Sequence, residues 1–237
     1  MVFLGTVVNG MAIIIGTLIG TISSRIPERM KTTIMQGLAL VVAVIGLQMA
    51  MKSEQFLIVI GSLVLGGMVG EYWDLEGKLG KLGNWIERKT GATSEGSVAQ
   101  AFVTATLVYV VGAMAILGAL DSGLRNDHSI LFTKSLIDGF TAIMFTATLG
   151  YGVLFSAIPV MVYQGVIALF ASQINQFVPP SLLDAFIAEV TSAGGIMILA
   201  IGLNLLGIIK IRVANFLPAL VVAALLVTCV YLAPSVF

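Results

Sequence analysis

An aspartate inside an apolar stretch is the strongest chemical candidate in this chain. Asp138 lies about one and a half turns into the apolar run 132–149, and Lys134 precedes it by four residues, on the same face of a helix. An ionisable group within a membrane span is costly and is therefore a functional candidate. We expect Asp138 to be a cation or proton site at the mouth of a pathway. Alternatively, both side chains simply extend to the outer membrane interface.

Neutral polar residues form the second group of candidates. Asn9 and Asn204 lie within apolar runs close to glycines, and Gln36 directly precedes a glycine as Asp138 does. Polar side chains beside loosened helical backbone form the substrate sites of many transporters, whereas ordinary interhelical hydrogen bonds explain them without any ligand. The substrate- or ion-binding candidates are therefore Asn9, Gln36, Asp138 and Asn204.

The residue types that enzymes and metal sites most often use are scarce. Cys229 is the single cysteine and lies in an apolar run, and His128 is the single histidine and lies in a loop. No histidine–carboxylate cluster has metal-ligand spacing, and no phosphate-binding glycine loop occurs. The sequence therefore predicts no catalytic residue, metal, cofactor or enzyme activity. A formal net charge of zero gives no field that would attract nucleic acid.

Long uncharged runs must position these side chains. Charged residues make up only 10% of the 237 residues, against about 25% in soluble domains. A bilayer core needs roughly 20 apolar residues per helix, and the helix satisfies its own amides there. The sequence predicts an all-α integral membrane protein with about eight transmembrane helices, near 3–22, 32–51, 55–72, 98–120, 132–149, 153–172, 192–210 and 214–233.

The basic residues predict the orientation. With eight spans, nine of the twelve fall on one side of the membrane: Arg25, Arg29, Lys31, Lys78, Lys81, Arg88, Lys89, Lys210 and Arg212. Basic residues accumulate in cytoplasmic loops, so both termini are expected outside. The first run has neither a basic leader nor a small-residue cleavage site, and we expect it to be a retained helix.

Two amphipathic segments are expected to lie on the membrane surface as short helices. Residues 74–90 place leucines at helical spacing opposite charges, with Trp73 and Trp85 at headgroup depth. Residues 179–191 begin with two prolines and then present one apolar face. The first helix is expected on the cytoplasmic surface and the second on the outer surface.

A shift of 102 residues aligns the landmarks of an internal repeat. It superposes Gly10 on Gly112, Gly16 on Gly118, Gly37 on Gly139 and Gln36 on Asp138. Each half then holds three spans and a surface helix, and because three is odd the second half enters the membrane from the opposite side. Inverted repeats are typical of secondary transporters, although a duplication can also leave a purely structural bundle.

The whole chain, 1–237, is expected to be a single transmembrane domain. Repeat unit one covers about 1–91, repeat unit two about 98–191, and a final helix pair about 192–234. Glycines spaced four apart let helices approach closely. The packing or hinge glycines are predicted to be Gly10, Gly16, Gly20, Gly66, Gly70, Gly112, Gly118 and Gly139.

Two motifs carry a resemblance to a known family. GTxxNGxxIxxGTLxG occurs in the opening MVFLGTVVNGMAIIIGTLIG, and GxxxGExxxxE occurs in GSLVLGGMVGEYWDLEGKLGKLGNWIERK. Over essentially its full length the chain resembles bacterial membrane proteins of the YdfK/YqgA type, a domain-of-unknown-function family. The resemblance implies a bacterial inner-membrane location and many transmembrane helices, and it supplies no catalytic residue.

These observations lead to two functional interpretations. The first is a small-solute or ion transporter or channel of the bacterial cell membrane, with a pathway between inverted repeats. The alternative is a non-transporting membrane scaffold or the sensing subunit of a larger complex. The expected partners are the lipid bilayer and an unidentified small solute or ion, and small-residue faces are also compatible with a homo-oligomer.

Overall fold

The computed structural model describes residues 1–22, 28–90 and 97–232, and every regular element in these ranges is helical. Arg25, one of the orientation residues, lies outside the described residues. The α-helices are α1 (Leu4–Ile22), α2 (Glu28–Ala50), α3 (Phe56–Tyr72), α4 (Leu75–Thr90), α5 (Ser97–Val110), α6 (Ala113–Arg125), α7 (Ser129–Leu149), α8 (Ala157–Leu169), α9 (Ala171–Phe177), α10 (Pro180–Leu205) and α11 (Pro218–Leu232). Short 3₁₀ segments, Tyr151–Ser156 and Val213–Phe216, precede α8 and α11.

The helices confirm an all-α, multi-pass membrane protein. Among the described residues, six helical stretches are long and apolar enough to cross a bilayer, or up to eight if each of two bent pairs counts as one span. The bent pairs are α3 with the start of α4, at 51°, and α5 with α6, at 61°. The predicted count of about eight lies at the upper end of this range.

The predicted reversal at 150–152 is confirmed. Helix α7 ends at Leu149, and Gly150 has φ +95°, a conformation that glycine adopts without strain. The 3₁₀ segment follows immediately and leads into α8. Residues 129–169 therefore form two candidate spans and not one long kinked helix.

The prediction of a separate surface helix at 179–191 is wrong. Those residues form the first half of α10, a continuous helix of 26 residues. Pro179 and Pro180 start the helix where proline is tolerated, and no glycine or proline interrupts the chain before the predicted span at 192. The apolar face that suggested a membrane surface instead packs inside the protein, where Ile187 and Val190 are buried. The first predicted surface segment, 74–90, does form a helix, α4.

The predicted span at 98–120 is also not a single straight helix. It consists of α5 and α6, separated by Val111 and Gly112. Gly112 has φ +140°, which interrupts the helical backbone at the break. Gly112 is one of the predicted packing or hinge glycines, so the break falls at a position that the sequence indicates.

The described helices cluster into two compact units. Unit 1 comprises Met1–Leu38, Leu79–Val110 and Met114–Ile174. Within it α1 and α7 run in the same direction, because Gly5 lies against Leu131 and Gly20 lies against Ile143. Helix α6 runs the opposite way: Gly5 also faces Ser122, and the N-terminal ammonium donates to Asn126 Oδ1 at 3.3 Å.

Unit 2 comprises Ala39–Lys78, Val111–Ala113 and Asn175–Phe237. Helices α3 and α11 pack antiparallel, with Gly66 against Ala219. The second half of α2 crosses α10 through Gly46 and Gly195. Part of the core is a cluster of buried apolar side chains from α3, α10 and α11: Val59, Val190, Ala193 and Ala223.

Candidate functional site

A buried polar cluster forms where α1 meets α7. The ammonium of Lys134 lies 2.9 Å from Asp138 Oδ1 and 2.8 Å from Oδ2. Asn9 Nδ2 donates to Asp138 Oδ2 at 3.1 Å. All three side chains are buried, with exposed fractions of 0% for Asn9, 3% for Asp138 and 7% for Lys134. Two of the four predicted candidates therefore meet, and Lys134 joins them as the ion-pair partner.

Small residues allow α1 and α7 to approach closely enough for this contact. A Cβ added to Gly16 would collide with the carbonyl oxygen of Gly139, and one added to Gly20 would lie 2.6 Å from the carbonyl oxygen of Ile143. Because the two helices run parallel, this close contact sets Asn9 opposite Asp138. The glycines thus position the cluster through packing rather than through any direct contact with it.

Lys134 and Asp138 contact each other inside the protein, whereas the alternative interpretation expects both side chains to extend to the outer membrane interface. Taking two charges out of water costs several kcal/mol per ion, and the mutual attraction offsets this cost only with good geometry and additional hydrogen bonds. The two-oxygen contact of Lys134 and the amide of Asn9 supply that geometry. A buried ion pair of this kind is only weak evidence that the contact stabilises the fold, and it is consistent with a functional site.

Helices α5 and α6 both contact α7 in unit 1. On one side of the break, Tyr109 stacks on Phe145 with ring centroids 6.3 Å apart. On the other side, Gly118 lies against Leu131. Asp138 lies between Leu131 and Phe145 along α7. Tyr109 of α5 and Gly118 of α6 therefore contact α7 on either side of Asp138.

Several buried polar atoms of unit 1 have no hydrogen-bond partner within the described chain. They are Thr6 Oγ1, Asn9 Oδ1, Thr106 Oγ1, Tyr109 Oη, Thr146 Oγ1 and both amide atoms of Gln164. Buried polar groups are nearly always paired with protein or ordered water, and an unpaired one costs about 1–3 kcal/mol. Unit 1 therefore concentrates buried donors and acceptors that the described chain does not itself pair.

Gln164 lies at the level of the cluster. Its helix, α8, faces α1: Met161 lies against Gly10, and Gly165 lies near Thr6. Gln164 is between these contacts and is fully buried. Thr6 and Asn9 on α1 therefore lie at about the same height along the helix axes as Gln164 on α8. Gln164 is one of the neutral polar residues that the sequence places within apolar runs, but neither Gln164 nor Thr6 is among the four predicted site candidates.

The other two predicted candidates lie elsewhere. Gln36 is exposed on α2. Asn204 is in unit 2, where its side chain donates to the carbonyl of Ile211 at 2.7 Å and accepts from the Ile211 amide at 2.8 Å. This pair of hydrogen bonds closes the loop that follows α10. The structure therefore does not bring Gln36 or Asn204 to the cluster.

The remaining predicted glycines have mixed surroundings. Gly10 faces Met161, Gly66 faces Ala219, and Gly118 faces Leu131 and Ile130. Gly70 lies directly against the backbone of Asn215. Close packing therefore accounts for Gly10, Gly66, Gly70 and Gly118. Gly112 forms the break between α5 and α6, where its role is to adopt the required backbone conformation.

Unit 2 contains a buried carboxylate that is not among the residues predicted from the sequence. Glu189 is 2% exposed, and its carboxylate accepts from Ser53 Oγ at 2.6 Å and from the amides of Glu54 and Gln55 at 2.9 Å. These contacts cap the start of α3, where a carboxylate is favourable. A small cavity of about 60 Å³ adjoins Glu189 and Tyr231. Because the carboxylate is already satisfied by the chain, this is a structural cap.

Glu71 at the end of α3 also has a structural role. Its carboxylate contacts Arg212 at 2.6 Å and the Asn215 amide at 2.5 Å. Asn215 in turn accepts from the amide of Glu76 at 2.7 Å. The network ties the α3–α4 bend to the segment before α11. Within 1–22, 28–90 and 97–232, no group of three or more His, Cys, Asp or Glu side chains could hold a metal ion.

Comparison with known proteins gives a consistent family match. The model of a family described as "Protein of unknown function (DUF554)" matches residues 4–228. The chain is 31% identical over 232 residues to the uncharacterized membrane protein YdfK of Bacillus subtilis (strain 168), with 96% of each chain covered. It is 30% identical over 225 residues to the uncharacterized protein YqgA of Escherichia coli (strain K12), covering 93% of this chain and 94% of that protein. No solved structure matches the chain.

Proposed function

The chain belongs to the DUF554 family of proteins of unknown function, and we propose that it passes a small solute or ion across the bacterial cell membrane through unit 1. The observation that carries the proposal is the buried cluster of Asn9, Lys134 and Asp138, in a bundle that also contains helices of the bent pair α5–α6. Discontinuous helices next to polar side chains within the membrane form the binding sites of many secondary transporters.

The unpartnered atoms extend the polar region along the helices. From Asp138 to Thr146 is eight residues of α7, about 12 Å at the usual rise per residue. Tyr109 lies beside Phe145 near the Thr146 end, and Thr6 and Gln164 lie near the Asn9 end. A row of polar groups rather than a single contact is what a pathway requires. The helices that line it come from both predicted repeat units.

The helix bounds and directions support the proposed inverted repeat. Moving α2 by 102 residues covers 130–152, close to α7, and moving α3 covers 158–174, close to α8. Helix α6, which contains the counterpart of Gly16, runs opposite to α1. The contact between Met1 and Asn126 supports an N-terminus on the same side as the loop after α6. With the basic-residue bias, we propose that both termini face outside.

The scaffold or sensing-subunit interpretation has one specific observation in its favour. Gln36 and Asn204 do not join the cluster, so the four candidates do not all converge. A merely structural cluster would nevertheless be expected to satisfy its own hydrogen bonds. The unpartnered atoms of Asn9 and Gln164 favour transport over the scaffold.

A flux assay tests the proposal. The purified chain is reconstituted in proteoliposomes and assayed against a panel of ions, amino acids, organic acids and uncharged solutes. Asn9→Leu and Asp138→Asn are each expected to reduce the flux at least tenfold. The control Asn175→Leu alters an exposed asparagine and is expected to retain it. An absence of protein-dependent flux across the whole panel would contradict the proposal.

A further inference from the structure

We propose that the site in unit 1 takes a small uncharged solute bearing both hydrogen-bond donors and acceptors, such as a polyol or a primary amide. This inference rests on the transport function proposed above and specifies its substrate class. Two independent features carry it: the charge balance of the buried cluster and the chemistry of its unpartnered atoms.

The buried charges already cancel. Lys134 and Asp138 are the charged side chains buried in the described part of unit 1, and they contact each other at 2.8 Å. Asn9 on α1, which donates to the carboxylate, is a neutral polar group and adds no charge to the pair. An inorganic ion entering this environment adds a net charge without a fixed counter-charge, which is strongly unfavourable away from water. An uncharged solute avoids that cost.

The unpartnered atoms include both donors and acceptors. Asn9 Oδ1 can only accept, whereas Gln164 offers an accepting Oε1 and a donating Nε2. The hydroxyls of Thr6, Tyr109 and Thr146 can do either. A metal cation satisfies only acceptors and a halide satisfies only donors. A molecule with hydroxyl or amide groups satisfies both kinds.

The positions of these atoms suit a small molecule. Thr6 and Asn9 lie three residues apart on α1, less than one helical turn, with Gln164 of α8 at the same level. Side chains from two helices can therefore bind one solute. The second polar level, at Tyr109 and Thr146, lies about 12 Å farther along α7. A solute would pass from one level to the other beside the ion pair.

Stopped-flow light scattering of proteoliposomes tests the substrate class. Glycerol and urea are the uncharged probes, and Na⁺, K⁺, Cl⁻ and methylammonium are the charged ones, with currents recorded in parallel. The wild-type chain is expected to accelerate entry of glycerol or urea at least tenfold over protein-free vesicles. The rate should be the same with and without an imposed membrane potential. Gln164→Met should remove at least nine-tenths of this flux.

Matched variants keep the result interpretable. Gln176→Met makes the same change at an exposed position and should retain the flux, and Thr6→Val provides a second probe of the site if Gln164→Met fails to fold. Currents carried by the charged probes, without flux of glycerol or urea, would overturn the substrate class while leaving transport intact. Flux of glycerol or urea that Gln164→Met and Thr6→Val leave unchanged would also overturn it.

A binding measurement separates the two proposals if no probe crosses the membrane. That result would contradict transport, and equilibrium binding of radiolabelled glycerol and urea would then decide the ligand class. Binding to the wild-type chain that Gln164→Met weakens at least tenfold supports an uncharged ligand. Equal binding by both chains, or none, overturns it.

Discussion

The ammonium of Lys134 contacts both carboxylate oxygens of Asp138, at 2.9 and 2.8 Å, inside a helical membrane protein. The amide of Asn9, from another helix, completes the contact. The three residues link α1 to α7 through polar groups, next to the glycine contacts that link them through packing. Stability and function are therefore expected to respond differently to changes at the charges, at the glycines and at the unpartnered atoms.

Removing one charge of the ion pair should destabilise the fold. Asp138→Asn leaves Lys134 buried without a counter-charge, and breaking a buried pair in this way costs about 3–5 kcal/mol. The melting temperature in detergent should fall markedly. Adding Lys134→Met to Asp138→Asn removes the unpaired charge and should recover most of the loss. A double variant no more stable than the single one would show that the two side chains are not coupled.

Gln164→Met should raise stability while it lowers flux. The side chain is fully buried with both amide atoms unpartnered, so a similar-sized apolar residue removes a cost of about 1–3 kcal/mol. Thermal melting of Gln164→Met beside the exposed control Gln176→Met measures the effect. A lower melting temperature for Gln164→Met alone would indicate that the amide is satisfied in the native protein.

Gly16→Ala should weaken the contact between α1 and α7. The added methyl group would overlap the carbonyl oxygen of Gly139, and overpacking of this kind costs about 1–3 kcal/mol. Gly37→Ala is the matched control, because a Cβ there meets no atom within 4 Å. Its melting temperature should be unchanged or slightly higher, since alanine favours the helix. Equal effects of the two substitutions would argue against close packing at Gly16.

The start of α7 should make stability sensitive to acid. The Asp127 carboxylate accepts from the Ser129 amide at 3.0 Å and the Ser129 hydroxyl at 2.5 Å, and these hydrogen bonds lower the pKa of Asp127. A lowered folded-state pKa contributes stability above the ordinary aspartate pKa, about 3.9, that is lost as the pH falls through the folded value. Asp127→Asn should therefore reduce the difference in melting temperature between pH 7 and pH 3. If Asp127→Asn leaves this difference in melting temperature unchanged, other carboxylates cause the acid sensitivity.

The parts of the fold that could be predicted are those governed by local rules. Uncharged length indicated the helices, and the four-residue spacing of Lys134 and Asp138 indicated their ion pair. Asn9 could be singled out because an amide in an apolar run needs a partner, but its partner on α7 depends on how the glycines of α1 pack. That is a tertiary property, which single-helix patterns do not contain.

The errors have the same origin. The sequence of 179–191 is amphipathic, yet its apolar face packs inside the protein, and only the neighbouring helices decide between protein and membrane surface. Asn204 has the composition of a site residue but binds the backbone of Ile211, seven residues later. Glu189 falls in the predicted surface helix 179–191, and its contacts with the amides of Glu54 and Gln55 depend on a helix start distant in the sequence.

Accessibility of the polar row to water tests the central claim most directly, because it requires no knowledge of the solute. Cys229 is the single cysteine, so Cys229→Ser gives a clean background for Thr6→Cys, Thr146→Cys and the exposed apolar control Val7→Cys. A charged methanethiosulfonate reagent should modify Thr6→Cys and Thr146→Cys in membranes and leave Val7→Cys, on the exposed apolar surface of α1, unmodified. Resistance at both threonine positions, with full labelling of Asn126→Cys in the loop, would contradict a polar pathway through unit 1.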